Sequence, residues 1–490
     1  MTQTGDTEAI KRAALVKPSE RQLAWQEMEF YAFIHFTVNT FTDREWGLGD
    51  EDPAIFNPVE FNADQWVDVC KSAGMKGLIL TCKHHDGFCL WPSRYTDHSV
   101  KNSPWRGGKG DVVKEAADAC RRGGIKFGIY VSPWDRHERT YGDSPRYNEF
   151  FKNQLRELLT DYGDIFCVWF DGACGEGPNG KRQEYDWDGY YEVIRELQPN
   201  AVISVCGPDV RWCGNEAGHT RQSEWSVVPA QLQDNEKIQK KSQQIDDGQF
   251  SKRVDTQDSD LGSRQVIKNV RELIWYPAEV NTSIRPGWFY HASEDDKVRP
   301  LDELLNIYYG SVGGNANFLL NLPPDKRGLI HENDAERLKQ LGKAISETFE
   351  INLTERAAAR ATDTLDEERD ANNIFDGSCD TYWCPSEGTE QAEIEIDLNE
   401  LQTFNTIVLM EHLKSGQRIE SFTLECKEGD GWREIYRGTV VGYKRICRFD
   451  TVTSRYIRLT ITESRWCPTL SSFGVYLGGG GGMERGRISL

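Results

Sequence analysis

The sequence predicts a (β/α)8-type barrel followed by an antiparallel β-sandwich. Between about residues 25 and 350, short apolar runs typical of buried strands alternate with segments of helical periodicity, which is the pattern of a parallel sheet with crossover helices. From about residue 360, short segments alternate apolar and polar residues and are separated by turn residues, as in a β-sandwich. We therefore expect a catalytic barrel over 1–350, a sandwich over 351–477, and a glycine-rich tail over 478–490 that is typical of a linker or a cloning remnant.

The barrel elements follow from hydrophobic periodicity. The predicted strands lie at 30–36, 77–82, 126–131, 164–170, 201–206, 274–280 and 316–321. Helical patterns lie at 63–74, 111–122, 147–162, 187–197 and 301–309. These elements, spread over about 320 residues, fit a closed barrel of eight units better than an open sheet, because an open doubly wound sheet is expected to carry a glycine-rich phosphate turn after its first strand and the sequence has none there.

The sandwich elements are four segments with a period of two. They lie at 393–398, 404–409, 422–426 and 455–461. A helical pattern at 333–349 is expected to link the two domains.

Composition excludes several classes of function. A net charge of −20 argues against a surface for nucleic acid or anionic membranes. No run of about 18 apolar residues is present, so we expect no transmembrane helix. The first twenty residues lack the apolar core of a signal peptide, which favours a cytoplasmic location unless a leader has been removed. Thirteen scattered cysteines without zinc-type spacing agree with a reduced compartment.

Polar residues of catalytic type follow several predicted strands. His35 ends the first strand, His84 and His85 follow the second, and Asp171 with Gly172 follows the fourth. In a (β/α)8 enzyme the carboxyl ends of the strands carry the active site. We therefore expect these side chains to meet at one rim of the barrel.

The adjacent histidines favour recognition of hydroxyl groups over metal binding. Neighbouring residues on a strand point to opposite sides, so His84 and His85 do not form a regular chelating pair. Asp86 is the nearest further candidate ligand, and a metal-dependent hydrolase using these three residues remains an alternative. Neutral imidazoles that hydrogen-bond the hydroxyl groups of a ligand are the preferred interpretation, with no catalytic metal.

A retaining glycosidase needs a second carboxyl group beside the first, about 5–5.5 Å away. The loop after the fifth strand offers Asp209, which follows a proline in a turn and reads as structural, and Glu216. Glu224 and Glu279 also lie near strand-like segments. Spacing alone does not choose among the three glutamates as the partner of Asp171.

Several motifs together resemble the α-L-fucosidases of glycoside hydrolase family 29, over roughly residues 20–345. The motifs that carry the resemblance are Tyr31–Phe36, Lys83–Trp91, Trp169–Gly172, Glu279–Ser283, Pro286–Tyr290 and Asn315–Pro323. The resemblance implies hydrolysis of terminal α-L-fucose with retention, without a cofactor, and Asp171 as the nucleophile. The fucose contacts that it implies are His35, His84, His85, Tyr130, Trp169 and Trp288.

The form Arg211-Trp-Cys-Gly-Asn-Glu216 is similar to the subgroup that prefers α-1,3 and α-1,4 linkages on branched, Lewis-type glycans. In that subgroup the glutamate of this motif is the acid/base, which implies Glu216 here and Arg211 as a substrate contact. Glu45 is a further expected contact from the first loop. The alternatives are broader specificity that includes α-1,2 linkages, and a glycan-binding protein without catalysis, against which the intact Asp171 and Glu216 argue.

The C-terminal region resembles discoidin-type, carbohydrate-binding β-sandwiches. The resemblance is carried by Asn373–Ser378, Thr381–Trp383, Ile394–Leu398 and Ser454–Leu459. It implies a possible galactose-like ligand and a structural Ca²⁺. A purely structural support for the barrel is the alternative. The expected partners are thus fucosylated oligosaccharides or glycoconjugates, while the sequence leaves the oligomeric state open.

Overall fold

The computed structural model describes residues 3–242 and 260–479. Most of the predicted tail, 480–490, lies outside the described residues. The helices are α1 (Gln3–Leu15), α2 (Glu20–Gln26), α3 (Val38–Thr42), α4 (Ala63–Ser72), α5 (Val112–Gly123), α6 (Ser144–Asp161), α7 (Trp187–Leu197), α8 (Asn235–Lys241), α9 (Arg264–Ile267), α10 (Leu301–Ser311) and α11 (Glu332–Phe349). The strands are β1 (Phe30–Ile34), β2 (Gly77–Lys83), β3 (Lys126–Val131), β4 (Cys167–Phe170), β5 (Val202–Val205), β6 (Arg211–Trp212), β7 (Val227–Pro229), β8 (Leu273–Trp275), β9 (Ala278–Ser283), β10 (Ala316–Asn321), β11 (Ala358–Ala361), β12 (Ala392–Met410), β13 (Ile419–Glu428), β14 (Gly431–Gly438), β15 (Arg445–Ser464) and β16 (Ser472–Tyr476).

The N-terminal domain is a nearly closed parallel barrel, which confirms the predicted fold class. Its strand order is β5-β4-β3-β2-β1-β10-β9-β6, and every pair in this sheet is parallel. A parallel bridge between Ser204 and Val210 joins the two ends of the sheet. All strand carboxyl ends therefore point to one face, which is where barrel enzymes carry their sites.

Two barrel strands differ from the sequence-based expectation. The predicted strand 274–280 is two elements, because β8 pairs antiparallel with β7 outside the barrel and β9 starts only at Ala278. Pro277, between them, lacks the N–H that a continuous ladder requires. The sixth barrel strand, β6, lies inside a segment predicted as loop, because two residues with one arginine give no detectable periodicity.

The helices have local reasons to begin and end where they do. In α5, Asp111 accepts a hydrogen bond from the backbone N–H of Lys114 at 2.9 Å and caps the first turn. Gly124, with φ of 73°, ends the helix in the left-handed conformation. Its buried face, spaced as the sequence predicts, consists of Val112, Val113, Ala116, Ala117, Ala119 and Cys120. Such faces form the core between helices and barrel.

The C-terminal domain is an antiparallel β-sandwich, as predicted. The order is β11-β12-β15-β13-β14, and β16 pairs with β12. The long strands β12 and β15 pair with each other along most of their length, with register shifts near Asp397 and Phe404. The first half of β12 pairs with β11 and its second half with β16. Because β15 pairs with β12 in both halves, the two long strands run through both halves of the domain.

The sandwich packs against the end of the barrel that lies away from the strand carboxyl ends. Glu29, just before β1, accepts a hydrogen bond from Tyr443 and pairs with Lys444. Asn315, just before β10, accepts a hydrogen bond from the backbone N–H of Tyr443 at 2.7 Å. Ile446 packs into the barrel's hydrophobic core. No described helix has the length and apolar character needed to cross a membrane.

Candidate active site

A pocket opens at the carboxyl ends of the barrel strands. Its lining is shared by strand residues, such as Tyr130 and Asn281, and by residues that directly follow strands, such as His35 and Asp171. The complete lining is Phe33, His35, Trp46, His84, His85, Tyr130, Trp169, Asp171, Gly172, Ala173, Val205, Trp212, Glu216, Ser242, Asn281 and Trp288. The strand ends thus bring residues that are far apart in sequence into one cavity.

The pocket contains most of the predicted site residues. Those that line it are His35, His84, His85, Tyr130, Trp169, Asp171, Glu216 and Trp288. The sequence interpretation missed Trp46, Trp212 and Asn281 among others. Trp46 and Trp212 stand beside residues that were selected, Glu45 and Arg211, and a tryptophan in the segment that follows a predicted strand was the available signal.

Asp171 presents a carboxylate that is held on both oxygens. It follows β4 directly, and its Oδ2 accepts a hydrogen bond from the Tyr130 hydroxyl at 2.9 Å. Its Oδ1 accepts one from the backbone N–H of Ala173 at 2.8 Å. The side chain keeps 23% of its surface exposed to the pocket. Two donors and partial access fix the carboxylate in one orientation while leaving it open to a ligand.

Glu216 lies in the same pocket, but its environment favours the protonated, uncharged carboxyl group. Burial, and to a smaller extent the negative charge of Asp171, raise its pKa to about 8, against a lowering effect of the Trp288 hydrogen bond. The Trp288 indole N–H donates to Glu216 Oε2 at 3.1 Å. The carboxyl is enclosed by protein, although part of the side chain is accessible. At neutral pH, Glu216 is therefore mainly protonated and able to donate a proton.

The other candidate carboxyl groups lie outside the pocket. Glu224 is completely buried and pairs with Arg211 and Arg221. Glu279 is also completely buried, below the pocket, with its oxygens taken up by protein donors. Asp209 pairs with Arg195 and accepts the backbone N–H of Ile203, which is a structural role. Glu216 is the one of the three glutamates that can reach a ligand beside Asp171.

His35 and His85 present hydrogen-bond acceptors to the pocket. Asn321 donates its amide N–H to the carbonyl of Trp288, so its Oδ1 faces His35 Nδ1 at 2.8 Å and must accept from it. Ser132 donates to the Trp134 carbonyl, so its oxygen accepts from His85 Nδ1 at 2.7 Å. In both rings Nδ1 carries the proton, and Nε2 is left as an acceptor.

His84 presents the complementary group. The Asn39 amide nitrogen lies 3.5 Å from His84 Nδ1, which makes Nδ1 an acceptor and leaves Nε2–H as a donor. Burial lowers the pKa of His35 to about 3 and of His85 to about 4, and it lowers the pKa of His84 well below its usual value. Three neutral imidazoles with two acceptors and one donor suit a ligand that carries several hydroxyl groups.

Arg211 and Glu45 do not line the pocket, although both were expected to contact substrate. Arg211 is buried under it, where its guanidinium pairs with Glu224 and donates to the backbone carbonyls of Tyr276 and Trp225. Its position on the two-residue strand β6 turns its side chain into the protein. Arg211 therefore supports the loop that carries Glu216 through contacts inside the protein.

Glu45 acts on the backbone of the Trp288 loop. Its two oxygens accept the N–H groups of Trp288 at 2.8 Å and Phe289 at 3.0 Å. His291 also donates to Glu45, at 2.8 Å, and this contact, together with one to Asp43, raises the pKa of His291 to about 9. Phe289 itself is completely buried, with its ring against those of His35 and His84.

The side chains do not form the metal site considered as an alternative. Asp86 does not line the pocket, and it accepts hydrogen bonds from the Phe88 N–H at 2.7 Å and from the Thr37 hydroxyl. Among residues 3–242 and 260–479, no group of three or more His, Cys, Asp or Glu side chains could hold a metal ion. In that part of the chain, therefore, no set of side-chain ligands supports the metal-dependent hydrolase or the structural Ca²⁺ of the C-terminal domain.

Comparison with known proteins gives matches along nearly the whole chain. The family model described as alpha-L-fucosidase matches residues 18–348, and the F5/8 type C domain model matches residues 358–472. Alpha-L-fucosidase 1 of Arabidopsis thaliana is 43% identical over 96% of this chain and 89% of its own length.

Two solved structures are similar to this chain in both fold and sequence. A glycoside hydrolase family 29 fucosidase from Ruminococcus gnavus in complex with fucose has a TM-score of 0.81 and 31% identity, with 95% of each chain covered. A glycoside hydrolase 29 family member from an unknown rumen bacterium has a TM-score of 0.77 and 39% identity, over 96% of this chain and 79% of that one.

Proposed function

We propose that this chain, which belongs to the α-L-fucosidases of glycoside hydrolase family 29, removes terminal α-1,3- and α-1,4-linked L-fucose from branched, Lewis-type glycans with retention of configuration. The α-L-fucosidase activity and the fucosylated nature of the substrates follow from the family. The observation that carries the mechanism is the pairing of two unlike carboxyl groups in one pocket. Asp171 is a hydrogen-bonded carboxylate, while burial raises the pKa of Glu216 to about 8.

The proposed reaction has two displacements at the anomeric carbon. Asp171 attacks that carbon and forms a β-fucosyl ester, while the bond to the leaving oxygen breaks and Glu216 gives that oxygen its proton. Glu216, now a carboxylate, takes a proton from water, whose oxygen displaces Asp171. Two inversions give α-L-fucose, and both carboxyl groups return to their starting states.

The three histidines are proposed to hold the sugar hydroxyls. His35 and His85 can each accept a hydroxyl proton at Nε2, and His84 can donate one. None of them needs to change its protonation state during turnover, because burial lowers the pKa of all three. The indole faces of Trp169 and Trp288 supply the apolar surface for the ring and its methyl group.

The preference for α-1,3 and α-1,4 linkages rests on the loop that carries Glu216. Arg211 anchors this loop through Glu224, and Trp212, four residues before Glu216, lines the same pocket. The departing sugar must lie on that side, since Glu216 protonates its oxygen. A loop braced in this way fixes which neighbouring sugars fit beside the leaving oxygen.

A substrate comparison tests this linkage preference. We expect Lewis-type trisaccharides, in which fucose is α-1,3- or α-1,4-linked to a branched N-acetylglucosamine, to be cleaved with at least tenfold higher kcat/KM than 2′-fucosyllactose. Release of fucose is measured at equal enzyme and substrate concentrations. Equal or faster cleavage of the 2′-linked substrate would establish the broader specificity instead. An aryl α-L-fucoside serves as the control for intact activity.

A further inference from the structure

Glu279 is a buried carboxyl group that the proposed mechanism does not use. It lies on β9, two residues before Asn281 of the pocket lining and on the same side of the strand. Its side chain is 0% exposed. Oε2 accepts the hydroxyl proton of Tyr31, and Oε1 accepts the indole N–H of Trp169 at 2.6 Å. Glu279 therefore lies in the barrel interior, directly below the pocket.

The position is unfavourable for a carboxyl group. No described lysine, arginine or histidine forms an ion pair with Glu279, and burial raises its pKa to about 7. Its two oxygens nevertheless satisfy the Tyr31 hydroxyl and the Trp169 indole N–H, which would otherwise be buried without an acceptor. One of the two groups that Glu279 holds is therefore a side chain of the pocket lining, Trp169.

The contacts of Trp169 connect Glu279 to the nucleophile. The Trp169 indole lines the pocket and stacks on the Tyr130 ring, with centroids 5.4 Å apart and planes inclined by 27°. The Tyr130 hydroxyl donates to Asp171 Oδ2. The hydrogen bond from the Trp169 indole to Glu279 fixes the rotation of the Trp169 side chain. Trp169 in turn stacks on the Tyr130 ring and so fixes the position of the Tyr130 hydroxyl.

We propose that Glu279 is a positioning residue of the fucosidase reaction, which acts by holding Trp169 against Tyr130 and thereby the Tyr130 hydroxyl against Asp171. The inference rests on the proposed role of Asp171. Enzymes lose up to about 10²-fold in rate when a reacting group is displaced by 1 Å. This role requires only an oxygen that accepts the Trp169 indole N–H, so an amide oxygen at the position of Oε1 should act almost as well as a carboxylate oxygen.

Two substitutions separate the acceptor from the charge. Glu279→Leu removes the acceptor at similar volume, and we expect kcat/KM for an aryl α-L-fucoside to fall about 10- to 100-fold, mainly in kcat. Glu279→Gln keeps an oxygen for the indole N–H, and its kcat/KM should stay within about threefold of the wild type. Glu279→Asp, which keeps the charge but withdraws the oxygen by one methylene, should lose about tenfold, and it replaces Glu279→Leu if that variant does not fold.

A double-mutant cycle with Tyr130→Phe tests the route. This change removes the hydroxyl that Glu279 is proposed to position, so Glu279→Leu should cost less than threefold in that background. Equal losses in both backgrounds would overturn the proposal. So would unchanged activity of Glu279→Leu or Glu279→Asp, or a loss above tenfold in Glu279→Gln, which would assign the role to the charge.

Glu411 provides a matched control. It is a buried carboxyl of the sandwich whose pKa burial likewise raises to about 7, and it accepts backbone N–H groups of Arg418, Ile419 and Gly442. Glu411→Leu should change the melting temperature but not kcat/KM. Failure of the wild type to cleave any α-L-fucoside would refute the fucosidase function itself, whereas an active wild type with a wild-type-like Glu279→Leu refutes only this inference.

Discussion

Replacement of Asp171 by Asn is expected to lower kcat/KM for an aryl α-L-fucoside by roughly 10³-fold or more. The amide has the shape of the carboxylate but cannot form the fucosyl ester. Its oxygen can still accept the Ala173 N–H, while its NH2 group can donate to the Tyr130 hydroxyl oxygen, so the pocket should keep its geometry. Initial rates with an activated leaving group measure the loss, because protonation of that group is not required.

Tyr130→Phe is the matched control for this prediction. It leaves the nucleophile in place and removes one hydrogen bond to it, which is worth about 1.5–3 kcal/mol for a charged acceptor. We expect a loss of roughly ten- to a hundredfold, well short of that of Asp171→Asn. Both variants should melt within a few degrees of the wild type. Activity of a folded Asp171→Asn enzyme within tenfold of the wild type would rule out Asp171 as the nucleophile.

Replacement of Glu216 by Ala is expected to affect natural and activated substrates differently. For glycans, whose leaving oxygen needs a proton, kcat should fall about 10²- to 10⁴-fold. An aryl fucoside with a good leaving group should still form the fucosyl-enzyme, which then accumulates because water lacks its base. Azide needs no base, so it should restore turnover and give α-fucosyl azide. Unchanged activity without azide rescue would remove Glu216 from the acid/base role.

The pH dependence gives a second measurement of the same residue. Burial and the charge of Asp171 raise the pKa of Glu216 to about 8, and only the protonated form can donate. The wild-type kcat/KM should therefore hold up to about pH 8 and then fall tenfold per pH unit. Glu216→Ala should lack this alkaline fall with the activated substrate. Persistence of the same fall in the variant would assign it to another group.

The features that periodicity and strand-end position encode could be predicted from the sequence. Long apolar runs such as β2 and β3 are detectable, and Asp171 and His35 directly follow such runs. The strands of regular length thus delivered their polar residues to the expected rim. The strand β6 is too short for this signal, which is why its relation to Glu216 was found only in the structure.

The direction of a side chain in an irregular loop could not be predicted. Arg211 and Glu45 stand beside tryptophans of the pocket, but their own side chains turn inward to bind Glu224 and the Trp288 backbone. Spacing alone likewise did not choose among Glu216, Glu224 and Glu279; the family resemblance indicated Glu216, and in the structure access to the cavity separates the three. Such contacts depend on residues distant in sequence, for which one sequence has no local signal.

The proposed mechanism requires a covalent bond between fucose and Asp171. A 2-deoxy-2-fluoro-α-L-fucoside with an activated leaving group should form the fucosyl-enzyme faster than it hydrolyses, because fluorine at C2 disfavours both positively charged transition states. Peptide mass spectrometry of the inactivated enzyme is then predicted to find one 2-fluorofucosyl group per chain, on Asp171. Attachment to any other residue, or inactivation-free turnover with no adduct, would contradict the double displacement proposed here.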